Sequence, residues 1–194
     1  MSKTTICVAS NNTHKIEELQ QMLGAQFDLK TMAEIGCHDE IEEYGTTFQQ
    51  NSQIKAEYIF QKYALNVIAD DSGLEVEYLD NKPGVYSARY AGEPTNHAAN
   101  IQKLLQELGD ASNRNAAFKT VITLILDGNT YFFEGEIKGT ITKELKGEGG
   151  FGYDPVFVSE GFEKTFAELG SEIKNSVSHR GRAIAKMLDF LQKK

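Results

Sequence analysis

Prolines are scarce in this 194-residue sequence, three in all, and cysteines number two. So few prolines leave no Pro-rich linker, and there is neither an internal repeat nor a low-complexity tail. Cys7 and Cys37 show no metal-ligand spacing and build no disulfide framework. Cys7 sits in an apolar run and is expected to pack as a small core residue. No segment approaches the roughly 18 apolar residues of a membrane-spanning helix; the longest near-apolar stretch, residues 121–126, is broken by Thr123. The N-terminus has no charged region followed by a long apolar one, as a secretory signal would. These absences point to a reduced, cytoplasmic, soluble protein without a membrane partner. Basic residues are also in the minority, 20 Lys+Arg against 28 Asp+Glu, for a net charge of −8. Such a field repels polyanions and argues against a nucleic-acid partner.

What is present is ordinary in bulk: 40% hydrophobic and 25% charged residues, the make-up of a soluble globular protein. The length suits one domain, residues 1–194, able to build its core without staples. The charge is unevenly spread. Between Lys174 and Leu188 lie Lys174, Arg180, Arg182, Lys186 and His179 with no acid, while the other 179 residues carry 16 basic and 28 acidic groups. A cationic island in an acidic chain suggests a small anionic ligand.

Hydrophobic periodicity gives the organisation. Residues 6–9 read as a short buried strand, followed by a helix with Ile16, Leu19 and Leu23 on one face and Gly24 as its stop. An acidic loop, residues 39–45, leads to a second helix, with Thr47 and Gln50 as a capping box. Residues 67–69 are a strand running into Asp70-Asp71-Ser72-Gly73 at its end, with residues 74–79 continuing as strand and 80–84 as a turn. Residues 95–108 form the clearest amphipathic helix, with Ile101, Leu104, Leu105 and Leu108 at i, i+3, i+4 and i+7. Residues 118–126 and 130–137 pair around Asp127-Gly128-Asn129. A strand at 155–158 and a final helix from about 178 to 191 complete the pattern. Interleaved helices and strands with hairpins imply an α/β fold with one mixed sheet, helices on its faces and a cleft.

Five constellations carry chemistry. Ser10-Asn11-Asn12-Thr13-His14-Lys15 lies at a strand-to-helix junction, where backbone N–H groups favour phosphate. Lys15 there opposes the helix dipole unless an anion compensates it; a solvated lysine behind an Asn cap is the bland alternative. Of Asp70 and Asp71, alternation lets one face a ligand as magnesium ligand or base while the other fixes the loop; an Asx turn competes. Four acids in the five residues 39–43 are ordinarily a solvated run, but Glu42 or Glu43 could complete a metal site with Asp71. Asn51 and Lys55 share a helix face and could meet phosphate oxygens, or form a surface pair. In the Gly-rich loop from Gly147 to Pro155, Phe151 and Tyr153 around Gly152 offer stacking surfaces, and Asp154 either accepts hydrogen bonds from a ligand or holds the loop. Lys174, His179 and Arg180 gather cations at a helix start.

In order along the chain stand Ser10-Asn11-Asn12 with Lys15, Thr47-Phe48 with Asn51 and Lys55, and Asp70-Asp71-Ser72-Gly73-Leu74. They are followed by Pro83-Gly84-Val85-Tyr86-Ser87-Ala88-Arg89-Tyr90, Gly149-Gly150-Phe151-Gly152-Tyr153-Asp154-Pro155, Lys174 and Ser178-His179-Arg180. This series resembles the inosine triphosphate pyrophosphatase family over essentially the whole chain. Many relatives begin the first motif Thr-Gly-Asn, where this chain has Ser-Asn-Asn. The resemblance implies an elongated mixed β-sheet flanked by helices, with two lobes and a central substrate cleft. It implies hydrolysis of ITP, dITP and XTP to the monophosphate and pyrophosphate with Mg²⁺, commonly by a homodimer. Asp71 matches the family's water-activating carboxylate, with Asp70 as runner-up, and Glu42 or Glu43 would help place the metal. Residues Ser10, Asn11, Asn12, Thr13, His14, Lys15 and Lys55 would hold the triphosphate near Ser72. Phe151, Gly152, Tyr153, Asp154, Lys174, His179 and Arg180 would surround the purine. A Maf-like pyrophosphatase for other nucleotides and a non-catalytic nucleotide-binding module are the alternatives.

Overall fold

Three buried apolar residues, Ile6, Cys7 and Val8, open the sheet, and the residues that follow supply the first helix. The structure, a computed structural model, describes residues 3–193. Strand β1 (Thr5–Val8) pairs in parallel with β2 (Asp28–Thr31) and with β3 (Asn66–Val76). Helix α1 (Thr13–Leu23) connects β1 to β2 and buries Leu19 and Leu23. Helix α2 (Phe48–Tyr63) precedes β3, β4 (Lys82–Pro83) pairs antiparallel to β3, and α3 (His97–Leu108) follows. Strands β5 (Asn115–Leu126) and β6 (Asn129–Ile141) form a hairpin whose two-residue loop, Asp127-Gly128, has positive φ at both positions. That geometry follows the right-handed strand twist. Strand β7 (Phe157–Ser159) lies antiparallel to β6, and α4 (Ser171–Val177) and α5 (His179–Gln192) end the chain. The order is β2-β1-β3-β5-β6-β7, with β4 beside β3. Parallel and antiparallel pairs in one sheet bear out the expected mixed α/β architecture.

Two units emerge from the internal packing. One comprises the chain through Asp71, Val121–Glu134 and the segment from Lys186 onward; the other comprises Ser72–Thr120 and Gly135–Ala185. The first has a core around Cys7, Ala9, Met32, Cys37, Ala56, Ile59, Val67, Ala69 and Ile125. The second buries Leu74, Val76, Ile101, Leu104, Leu108, Phe118, Ile137, Phe157 and Phe166 together. The apolar stripe expected in the third helix is thus a core face. Cys7 is fully buried, and burial pushes its thiol up to about 12, followed in effect by its neighbours Cys37 and Glu34. It is the inert packing residue that its apolar surroundings implied.

Several boundaries differ from expectation. The strand expected to end at Asp70 runs on without a break to Val76, and Glu77–Leu79 is a 3-10 helix instead of strand. Residues 154–156, expected partly as strand, form a 3-10 turn before β7, because Pro155 supplies no backbone donor for a ladder. The capping box is displaced by one residue. Thr47 Oγ1 accepts from Gln50 N at 3.1 Å, but Gln50 Oε1 accepts from Thr46 N at 2.8 Å. Short β2, α4 and the 3-10 helix Gly84–Arg89 had no clear periodic signature.

Candidate active site

In the first unit, the chain leaving β1 turns into α1 through two local hydrogen bonds. Ser10 Oγ accepts from Asn12 N at 3.1 Å, and Asn12 Oδ1 accepts from Lys15 N at 3.2 Å, capping the helix. Lys15 is not the solvated lysine of the bland alternative: its Nζ lies 3.2 Å from Asp70 Oδ2, with the side chain 13% exposed. Asp70 therefore supplies the negative charge that a lysine at a helix N-terminus needs.

Asp70 and Asp71 sit inside β3, neither at a strand end nor in an Asx turn, and both are buried. Alternation along the strand sends them to different partners. Asp70 meets Lys15, while Asp71 Oδ2 accepts from Asn51 Nδ2 at 3.1 Å. Asn51 and Lys55 on α2 are likewise buried, so the surface-pair alternative does not hold. Lys55 Nζ reaches Glu43 Oε1 at 3.0 Å. Burial raises the Asp71 carboxyl above the ordinary carboxylate range. Lys55 and Lys15 pull it back down, Glu43 adds to the rise, and the Asn51 hydrogen bond opposes it.

The acidic loop divides accordingly. Asp39 is taken up by Lys62 and by Tyr58 Oη, the latter at 2.8 Å, and Glu42 is exposed, whereas Glu43 shares the surroundings of Asp71. Among the described residues no three His, Cys, Asp or Glu side chains converge on a metal position. Magnesium needs no such cage: it commonly takes one or two carboxylates, with waters and substrate phosphates completing six oxygens. A buried Asp71 that is costly to ionise, with Glu43 in electrostatic range, is an oxygen-only donor set that fits this ion.

The second unit gathers the other predicted residues. Asp154 is buried and closes its own loop: Oδ2 accepts from Phe151 N at 2.8 Å and from Lys174 Nζ at 2.8 Å. Lys174 Nζ stands 4.6 Å from the Phe151 ring centroid and the Arg180 guanidinium carbon 6.0 Å from it. Arg180 Nη2 also donates to Ser72 Oγ at 3.1 Å. His179 stacks on Phe118, with centroids 4.9 Å apart and planes inclined by 12°. Ser178 Oγ accepts from Gly181 N, which fixes the start of α5.

Tyr153 departs from the expected pair of stacking rings. It is 4% exposed, packs in the core and donates its hydroxyl to Ser87 O at 2.8 Å. Phe151 is half-buried and not taken up by the core, with Gly152 between the two. Arg182 and Lys186 of the cationic island are exposed and donate to the β6 carbonyls of Glu136 and Glu134 respectively.

Sequence reasoning missed three supports. Phe118 carries the His179 ring. Ser87 Oγ accepts from Leu74 N at 2.9 Å, and Asn100 donates to Ala88 O while accepting from Ala91 N. Asn100 did carry a signal, an amide beside the apolar stripe of an amphipathic helix.

Residues 6–190 match the family model described as Ham1 family. The chain belongs to the Ham1 family. Membership bears out the family expected from the ordered motifs. Ham1-family relatives include the dITP/XTP pyrophosphatase of Porphyromonas gingivalis, 52% identical over 184 residues, which cover 94% of this chain and 95% of the relative. The dITP/XTP pyrophosphatase of Flavobacterium johnsoniae is 50% identical over 183 residues, 94% of this chain and 95% of that protein. Among solved structures, the Ham1 protein of Staphylococcus aureus matches with TM-score 0.90 and 41% identity, covering 98% of this chain and 99% of its own. The mixed sheet with flanking helices implied by the resemblance is thus shared with a solved Ham1 protein over nearly the whole chain.

Proposed function

We propose that this Ham1-family chain hydrolyses deaminated purine nucleoside triphosphates (dITP, XTP and ITP) to the monophosphate and pyrophosphate, keeping them out of DNA and RNA. Support comes from relatives of 52% and 50% identity that are dITP/XTP pyrophosphatases. The observation that carries the chemistry is Asp71, a buried carboxyl within electrostatic reach of Lys15, Lys55 and Glu43.

Lys15 and Lys55, with the residues from Ser10 to His14 at the start of α1, bind the triphosphate. Asp71 takes a proton from water as the water oxygen bonds to the α-phosphorus. The bridging P–O bond breaks, and its electron pair leaves with pyrophosphate, whose growing charge the lysines offset. Asp71 and Glu43 would hold Mg²⁺, with Glu42 exposed beside them; when bound, the ion neutralises phosphate charge. Phe151 stacks on the purine, and Lys174, His179 and Arg180 present donors. Hypoxanthine and xanthine carry an acceptor O6 where adenine has an amino group, so adenine leaves buried donors unpaired, a strong basis for rejection.

Pyrophosphate release from ITP, XTP, GTP, ATP and dTTP, with and without Mg²⁺, tests the reading. ITP and XTP should exceed ATP by about 100-fold or more, and turnover should stop when Mg²⁺ is chelated. Equal rates on ATP and ITP would sink the assignment. Rapid dTTP turnover indifferent to His179→Ala would favour the Maf-like reading, and ITP binding without product a binding module. A cytoplasmic homodimer completes the proposal. Its candidate contact is the segment Pro83–Tyr90, in whose 3-10 helix Gly84–Arg89 exposed Tyr86 lies 5.3 Å beneath the Arg89 guanidinium. Light scattering should return a dimer mass, and a monomer removes the idea.

A further inference from the structure

Asn51 is an unusual residue to find in the first turns of a helix. Asparagine is a poor helix former, because its side chain competes for backbone hydrogen bonds, and this one is fully buried. Its side chain is spent on two partners. Oδ1 accepts from Gly45 N at 2.8 Å, and Nδ2 donates to Asp71 Oδ2 at 3.1 Å. The orientation of the amide follows from those partners: a backbone N–H only donates, so oxygen must face Gly45 and nitrogen must face the carboxylate.

No other side chain of that length supplies a donor and an acceptor. Aspartate cannot donate when ionised, leucine does neither, and glutamine is one methylene longer. The loop end of the bridge is equally specific. A Cβ on Gly45 would stand 2.6 Å from Asn51 Oδ1 and 2.7 Å from Gln50 Cβ, so the backbone comes this close only because residue 45 has no side chain. One turn further along α2, Lys55 holds Glu43 of the same loop at 3.0 Å. Gln50 Oε1 takes Thr46 N at 2.8 Å. Helix α2 thus fastens the acidic loop at Glu43 and Gly45 and the adjoining Thr46, and through Asn51 it also holds the carboxylate on β3.

We propose that Asn51 is a positioning residue for the hydrolysis, fixing the Asp71 carboxylate and the acidic loop in register through one side-chain amide. This rests on the reading of Asp71 as the base. It assigns Asn51 no phosphate contact, in contrast to the role its helix face first suggested. Turnover should therefore depend on Asn51 far more than nucleotide binding does, because Lys15 and Lys55 are untouched by its loss. A carboxylate displaced by about 1 Å can cost on the order of 100-fold in rate.

The test measures kcat and KM for ITP, with circular dichroism to count folded protein, in wild type, Asp71→Asn, Asn51→Asp and Asn51→Leu. Asn51→Asp keeps an acceptor for Gly45 but loses the donor to Asp71; Asn51→Leu keeps the volume and loses both. Both should lose about 100-fold in kcat per folded molecule, with KM within about threefold. Should these fail to fold, Gly45→Ala leaves every side-chain donor in place while its Cβ presses on Oδ1; a loss of about tenfold confined to kcat is expected. A kcat within twofold of wild type, or a loss that only follows the unfolded fraction or falls on KM, overturns the inference. Wild type inert on ITP would overturn the proposed function and this inference with it. An active wild type with an equally active Asn51→Asp would overturn this inference alone.

Discussion

At the scale of single residues, Asp71 combines a structural cost with a chemical use. Its folded-state pKa lies above the ordinary carboxylate value because burial disfavours the charged form. The folded chain therefore holds this proton more tightly than the unfolded chain does. Between the ordinary value of about 3.9 and the raised one, stability falls as pH rises, and above the raised value the full cost is present. Asp71→Asn removes an ionisation that the metal-free fold opposes. Its melting temperature at pH 7.5 in chelator should therefore match or exceed wild type, with the difference shrinking as pH falls towards 4. Turnover should drop by about 10²–10⁴-fold, as for loss of a general base. A variant that retains turnover moves the base elsewhere, Asp70 first. One that melts clearly lower at pH 7.5 contradicts the burial cost.

At the scale of elements, the sequence was most readable where a hydrophobic stripe has a fixed period. Helix α3 and the β5–β6 hairpin fall close to expectation, because Ile101, Leu104 and Leu108 bury one face and Asp127-Gly128 accepts the turn geometry. The site residues were legible as types and positions, but their partners were not. Asp-Asp-Ser-Gly has the composition of a turn, yet it lies mid-strand. There its cost is offset by Lys15 and by Asn51, the first far away in sequence and the second on another helix. Asn51 and Tyr153 share this lesson from opposite sides. The asparagine was open between a phosphate contact and a surface pair, and it is fully buried; the tyrosine looked like a ligand ring and supports the loop through Ser87. Neither distinction follows from local periodicity, since both are decided by long-range neighbours. The short 3-10 segments were unreadable for a related reason: three residues offer too little periodicity to register.

At the scale of the whole molecule, the charge asymmetry found in the sequence separates into two kinds of neighbourhood. Lys15 and Lys55 belong to the unit that holds Asp70, Asp71 and Glu43, while Lys174 and Arg180 belong to the other, with Phe151 and Asp154. Neither unit is a separable stretch of chain. The divisions at 71/72, 120/121, 134/135 and 185/186 fall inside β3, β5, β6 and α5, so four continuous elements run through both. Unfolding one unit alone would end three strands and a helix in mid-element, leaving uncapped helical groups and broken ladders at every crossing. That penalty links the two cores more tightly than a flexible connection between domains would. The metal-free chain should accordingly unfold in urea as one transition. Far-ultraviolet circular dichroism, tyrosine fluorescence and the labelling of Cys7 and Cys37 with a thiol reagent should share one midpoint. The thiols make this a sharp test, because both lie buried in the first unit's core, whereas the circular dichroism reports helices and strands of both units. A thiol-labelling midpoint at clearly lower urea than the circular dichroism midpoint would show the first unit opening separately, against the continuity of the shared strands.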